Sequence, residues 1–447
     1  MKKIFSLFVI APLIINSVSA QNKTESFSFS LQQAIDYAYQ HQKNVVNAQV
    51  DQQISDAKVK EVVGMGLPQV SASFDVKDFE ELPTSLIPAE FFGGKAGDFI
   101  GIKFGTRWNA TAGVNGSQLI FDPSYLVGVK ASQTYRELSQ KNLTRTKIET
   151  AVSVSKAYYN VLVNRERMKL LDANVTRVQK LRDDTKALLD NGFVEKIDHD
   201  RVVLTYNNLV TEKENVTRLM ALSELVLKFQ MGMNINTFLA LTDSLADDQI
   251  KNFSVSVETP DVTKRIEYSL LQTQQHLQTL DLKRYRVQYI PSIVAYGSFN
   301  TNAQRNTLNL FDSDKPWYPT AVVGATLSWN LFDGLQRERK IDQSKLALIK
   351  INNEMEDATN ALTLETESNR TMLLNAIKSF NTQQENLDLA NEVVRVSKTK
   401  YDQGVGSNLE VITAETSLKE AQTNYYSALF DALVAKVELD KSLGNIK

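Results

Sequence analysis

Residues 321–331 read Ala-Val-Val-Gly-Ala-Thr-Leu-Ser-Trp-Asn-Leu. Ala321, Val323, Ala325, Leu327, Trp329 and Leu331 alternate with Val322, Gly324, Thr326, Ser328 and Asn330, a period of two that predicts a strand with one apolar face. Three other stretches share it. Val70, Ala72, Phe74 and Val76 alternate with Ser71, Ser73, Asp75 and Lys77. Trp108, Ala110, Ala112 and Val114 alternate with Asn109, Thr111, Gly113 and Asn115. Ile293, Ala295, Gly297 and Phe299 alternate more weakly with their neighbours. Strands are expected at about 69–79, 106–120, 292–302 and 320–331.

Outside the strands the period changes to that of helices. The first half predicts helices over 31–66, 124–191 and 195–231, and the second over 261–289, 335–403 and 407–443. Ser30 and Gln33 form a capping box at the first start. Met355, Ala358, Leu362, Met372, Ala376, Leu387, Ala390, Val394 and Tyr401 follow one track of mostly three- and four-residue steps, a coiled-coil seam rich in small residues. A helix as long as 335–403 reaches ~100 Å at about 1.5 Å per residue, far beyond one globular core. In each half the two shorter helices together match the long one, so each half reads as a hairpin of equal rods.

The halves repeat each other. Asn191-Gly192 aligns with Gln403-Gly404, Asp198 with Glu410 and Gly232 with Gly444; Leu67-Pro68 matches Ile290-Pro291, and Ile120-Phe121-Asp122 matches Leu331-Phe332-Asp333. The organisation expected is a signal peptide at 1–20, a first repeat at 21–232, an inter-repeat equatorial linker at 233–260 and a second repeat at 261–447. The signal consists of Lys2 and Lys3, an apolar run from Ile4 to Ile15 and the small residues Val18-Ser19-Ala20, and it implies export. With no Cys after that run, a lipid anchor is not expected. Residues 83–105 hold Pro83, Pro88 and five Gly and read as an exposed loop.

Composition narrows the function. Lys and Arg number 50 against 52 Asp and Glu, with no Cys and three His. That balance disfavours nucleic acid, whose phosphates require clustered cations, and removes thiol nucleophiles and Cys/His zinc sites. No nucleophile–base–orienter set stands out, so no enzyme and no cofactor are expected. No run of about 18 apolar residues follows the signal, so any span of a membrane falls to the strands. Four strands cannot close a barrel, for which about eight is the minimum. Other copies must complete it. A secreted structural coiled coil without transport activity is the alternative.

The chain resembles the TolC-type outer-membrane factors, the outer membrane efflux protein family. The resemblance is carried by Leu31-Gln32-Gln33-Ala34-Ile35, Leu67-Pro68-Gln69-Val70, Tyr401-Asp402-Gln403-Gly404, Glu410-Val411-Ile412-Thr413-Ala414 and the duplicated order of elements. It implies an α+β membrane protein: a homotrimer whose four strands per chain form a barrel in the bacterial outer membrane, continued into the periplasm by a coiled-coil-like α-barrel. It also implies passive efflux or type I secretion with a periplasmic adaptor and an inner-membrane pump as partners. The strand residues expected to face outer-membrane lipid are Val70, Phe74, Trp108, Val114, Val323, Leu327 and Trp329. Asp198 and Glu410 are the expected carboxylates at the periplasmic entrance, although Ser407 and Glu410 also read as a capping box. The family's gate Tyr falls at Tyr401, beside Gly404, with Asp198 as its expected hydrogen-bond acceptor. The family's Arg position is occupied by Gly406, so one charged link is missing, or Gly406 serves a positive backbone angle.

Overall fold

A computed structural model describes residues 26–245 and 261–446. The predicted signal peptide and the linker residues 246–260 lie outside these.

The chain opens with a short strand, β1 (Ser26–Phe29), and two helices, α1 (Leu31–His41) and α2 (Lys43–Gly64). Strand β2 (Gln69–Asp78) leads into a small hairpin, β3 (Thr84–Pro88) and β4 (Phe99–Lys103), within the stretch expected to be loop. Strand β5 (Trp108–Phe121) runs into the long helix α3 (Pro123–Asp190), which returns as α4 (Lys196–Gln230) and ends at β6 (Phe238–Leu241). The second repeat comprises α5 (Ile266–Val287), β7 (Ser292–Arg305), β8 (Tyr318–Ser328), the long α6 (Gln336–Asp402) and α7 (Asn408–Ser442).

One expected helix is two. The stretch 31–66 breaks at Gln42, whose backbone is extended (φ −66°, ψ 125°). Gly232, where α4 turns, packs against the break and has no room for a side chain: a Cβ there would lie 2.5 Å from His41 O and 2.6 Å from Gln42 Cα. The second repeat has the same joint. Arg265, extended at φ −74° and ψ 135°, precedes α5, so that helix starts at Ile266 rather than 261. Gly444 stands beside Lys264 as Gly232 stands beside Gln42.

These joints form an equator. In the first repeat β1 pairs in parallel with β6, over a core of Ala34, Ala38, Val154, Tyr158, Leu227 and Met231. The Asp243 carboxylate accepts from Leu31 N at 2.9 Å and meets the Tyr158 hydroxyl at 2.9 Å. In the second, buried Arg265 binds Glu267 at 3.0 Å, Glu365 at 2.9 Å and the Ser442 carbonyl at 3.0 Å. Burial pushes the Glu267 carboxyl up, but the Arg265 hydrogen bond, a backbone hydrogen bond and the charges of Arg265 and Lys441 together outweigh it and hold that group below the usual range.

Below the equator the helices are supercoiled hairpins. Val202, Leu209, Val216 and Ser223 of α4 are buried at intervals of seven, as are Val411, Leu418, Tyr425, Ala432 and Leu439 of α7. On α6 the buried positions are Thr366, Leu373, Phe380 and Val394. A strict seven-residue repeat winds paired helices left-handedly. Met372, placed on this seam by the sequence reading, is exposed, and its neighbour Leu373 occupies the seam.

Candidate functional site

Two places carry candidate residues, and α3 separates them by ~100 Å at about 1.5 Å per residue. The first is the sheet. Its order is β2-β5-β7-β8, every pair antiparallel, with one edge of β2 and one of β8 unpaired within the chain. Register decides which side chains share a face. Ala72 lies opposite Val114, Val114 opposite Phe299 and Phe299 opposite Ala321; Val70, Gly116, Gly297 and Val323 form the next row. One face is therefore apolar across all four strands, with Val70, Phe74, Val114, Val323 and Leu327 exposed on it. The opposite face carries Ser73, Asp75, Thr111, Asn300 and Asn302, with the Thr111 hydroxyl donating to Asn302 Oδ1 at 2.7 Å.

Two expected members of the apolar face sit differently. Trp329 lies just beyond β8, and its indole N–H donates to Tyr289 O at 3.0 Å, pinning the junction of strand and helix. Trp108 starts β5 but is half-buried against Ala110, Ala303, Leu310 and Trp317.

The second place is the pair of hairpin tips. Gly192 and Gly404 adopt φ of 79° and 71°, the left-handed value that a helix C-terminal turn requires and that glycine adopts without strain. The N–H of Phe193 donates to Leu188 O at 2.9 Å, and that of Val405 to Lys400 O at 3.0 Å, so the tips share one backbone design. Gly406 is not in the left-handed region, which corrects the positive-angle reading. It is glycine because a Cβ would meet Lys400 Cβ at 2.8 Å and Tyr401 N at 2.9 Å. Glu410 sits in the first turn of α7, where its N–H donates to Ser407 Oγ at 3.2 Å.

The expected Tyr401–Asp198 hydrogen bond is absent. Asp198 lies in the first turn of α4 and pairs with Arg201 at 3.7 Å. The buried Tyr401 hydroxyl has no partner within the described residues, and Tyr401 borders a cleft of about 530 Å³ between the two tips, beside Leu181, Phe193 and Asp402.

What links the tips is a row that the sequence reading passed over. Asn408, Glu415 and Gln422 are buried along α7 at intervals of seven. The Asn408 amide donates to the Asp198 carbonyl at 2.7 Å. Arg177 of α3 grips Glu415 with two hydrogen bonds of 2.5 and 2.7 Å, and Asn174 meets Gln422 at 2.5 Å. Arg177 also donates to Asn174 Oδ1 at 2.8 Å, closing the network. Such charge-assisted, forked bonds are strong and geometrically exacting. The seven-residue interval of polar residues on an otherwise apolar seam was the signal for it.

An amphipathic sheet with open edges is thus mounted on rods that end in linked tips. Residues 269–445 match the family model described as outer membrane efflux protein. Outer membrane protein TolC of Vibrio cholerae serotype O1 is 19% identical over 349 residues, 75% of this chain and 77% of that one. The solved structure of CusC superposes with a TM-score of 0.73 at 14% identity, covering 93% of this chain and 92% of that one. VceC from Vibrio cholerae gives 0.68 at 13% identity, with 93% and 96% covered. The open state of the Neisseria gonorrhoeae MtrE outer membrane channel gives 0.67 at 16%, with 93% and 88% covered. The family match covers the second repeat, and the similarity of fold to these outer-membrane channels runs across both repeats.

Proposed function

We propose that the chain works as the passive exit duct of a tripartite efflux or type I secretion assembly. Three copies join through their sheets, β8 of one beside β2 of the next, into a barrel of about twelve strands wide enough for a lumen. The apolar face, including Val70, Phe74, Val114, Val323 and Leu327, meets outer-membrane lipid, and the Ser, Thr and Asn face lines the lumen. The tips reach the periplasmic entrance, where Asp198 and Glu410 supply carboxylates. There a periplasmic adaptor delivers substrate from an inner-membrane pump.

One observation carries this reading: four paired strands leave large apolar side chains exposed on one face and two edges unpaired within the chain. Unsatisfied backbone groups in hydrocarbon cost several kcal/mol each, so the edges demand partners. A secreted coiled-coil rod would have no use for such a face. Native mass measurement of detergent-solubilised protein should give three chains. A stable monomer that retains its full strand content would refute the assembly.

A further inference from the structure

The connection from β7 to β8, residues 306–317, does not extend away from the sheet. It folds back over the apolar face. Leu310 is buried against Ala110 of β5 and Ala303 of β7, with Trp108 and Trp317 packed around them. Phe311 reaches the far strand, its ring stacked on Phe74 of β2 at 6.1 Å between centroids. Those partners share a face by register: Ala110 lies opposite both Val76 and Ala303. The connection thus straps three strands on the side that also carries Val114 and Val323.

Arg305 explains why the strap is closed. Opposite Trp108, it places a guanidinium on the apolar face, yet it is only 6% exposed. Its Nη2 donates to Lys315 O at 3.0 Å and Pro316 O at 3.1 Å, and its Nη1 to Gln304 O at 2.9 Å. The strap's carbonyls take up a charge that hydrocarbon would reject. In return the strap turns two large apolar side chains outward, Leu308 at 65% and Phe311 at 78% exposure.

We infer that residues 306–317 form a lipid-side strap, with Leu308 and Phe311 seated in the outer leaflet and Arg305 as the clasp, rather than a loop over the channel mouth. The occupant is the acyl and interfacial zone of the bilayer, because the strap continues the apolar face assigned to lipid under the proposed function. The inference rests on that assignment, and the test separates the two. The natural chain has no Cys, so Leu308→Cys, Phe311→Cys, Val323→Cys and Ser73→Cys can each carry one environment-sensitive label. The trimer is reconstituted in phosphatidylcholine vesicles and quenched either by a nitroxide on the upper acyl chain or by aqueous iodide. Labels at 308, 311 and 323 should be quenched by the nitroxide several-fold more than the label at 73. Adding Arg305→Gln should raise iodide quenching at 311 while leaving 323 unchanged. Iodide quenching at 308 and 311 with lipid quenching at 323 overturns the strap and keeps the lipid face. Absence of lipid quenching at 323 overturns both. Phe311→Ser should leave single-channel conductance at the parent value; a raised conductance places the strap over the mouth and overturns the inference.

Discussion

The two hairpins share a backbone and differ in what their returning helices bury. Where α7 carries Asn408, Glu415 and Gln422, the equivalent positions of α4 hold Lys196, Val203 and Val210. On α7 the stripe is buried and bonded to α3 and to the α4 start, whereas Val203 and Val210 are half-buried. Duplication has kept what the backbone needs, the tip glycines and the seven-residue seams, while the stripes diverged. The polar stripe fixes the second hairpin against the first within one chain. Under the proposed assembly, the half-buried Val203 and Val210 are suited to contact with a neighbouring copy.

The largest effect expected from breaking this difference is at Glu415. Its side chain is 4% exposed and its forked partner Arg177 28%. Removing one member of a buried pair costs about 3–5 kcal/mol. Glu415→Ala should therefore loosen the tips strongly, read as a raised open probability in planar bilayers and faster hydrogen exchange along α7. Val203→Ala on the equivalent stripe should leave hydrogen exchange within α7 unchanged. Equal effects at both positions would refute the asymmetry.

The equatorial joints give the next test. Gly232 and Gly444 both have positive φ, 70° and 74°, so Ala at either incurs about 1–2 kcal/mol of left-handed strain. Only Gly232 also presses backbone, with contacts under 3.0 Å, whereas the nearest atom at Gly444 is 3.4 Å away. Overpacking adds about 1–3 kcal/mol. Gly232→Ala should lower the unfolding midpoint of the detergent-solubilised protein clearly more than Gly444→Ala.

These two tests touch the parts least legible in the sequence. The alternation of residues 321–327 could be read directly, because a period of two needs no knowledge of the rest of the chain. The break at Gln42 could not, because Gly232, which packs against it, lies far along the chain, and nothing local to residues 38–46 stops a helix. The seams were legible as coiled coil but slipped by one at Met372, where Leu373 is equally apolar and a single track cannot choose between neighbours. Glu415 and Gln422 were passed over, since one sequence does not say that a facing helix supplies Arg177 and Asn174. Trp329 was carried too far along its strand because the alternation continues past the last ladder residue.

Charge at the tips is a finer test of the same divergence. Asp198 has Arg201 at 3.7 Å, whereas Glu410 has no ion-pair partner among the described residues. A carboxylate without a counter-charge projects more field into a narrow, low-dielectric mouth. Glu410→Gln should reduce cation preference, measured as reversal potential across a salt gradient, more than Asp198→Asn does. The double variant should be lower still. If neither variant shifts the reversal potential, these residues only start their helices.

The smallest effect is expected at Tyr401. A buried hydroxyl left unpartnered costs about 1–3 kcal/mol, and within one chain neither Asp198 nor any other described residue takes the Tyr401 proton. The hydroxyl borders the cleft between the tips, and under the proposed trimeric assembly a neighbouring copy or solvent is the remaining source of an acceptor. Tyr401→Phe should then raise open probability modestly, because it removes a link between copies and leaves the Asn408 bond within the chain intact. Asp198→Asn should not reproduce that change, since only the Asp198 backbone carbonyl is tied to the second hairpin. If Tyr401→Phe gates like the parent, or if Asp198→Asn opens the channel equally, the link between copies does not exist. The closed state would then rest on the buried stripe of α7 together with apolar contacts at Val405 and Leu409, both exposed at the tip.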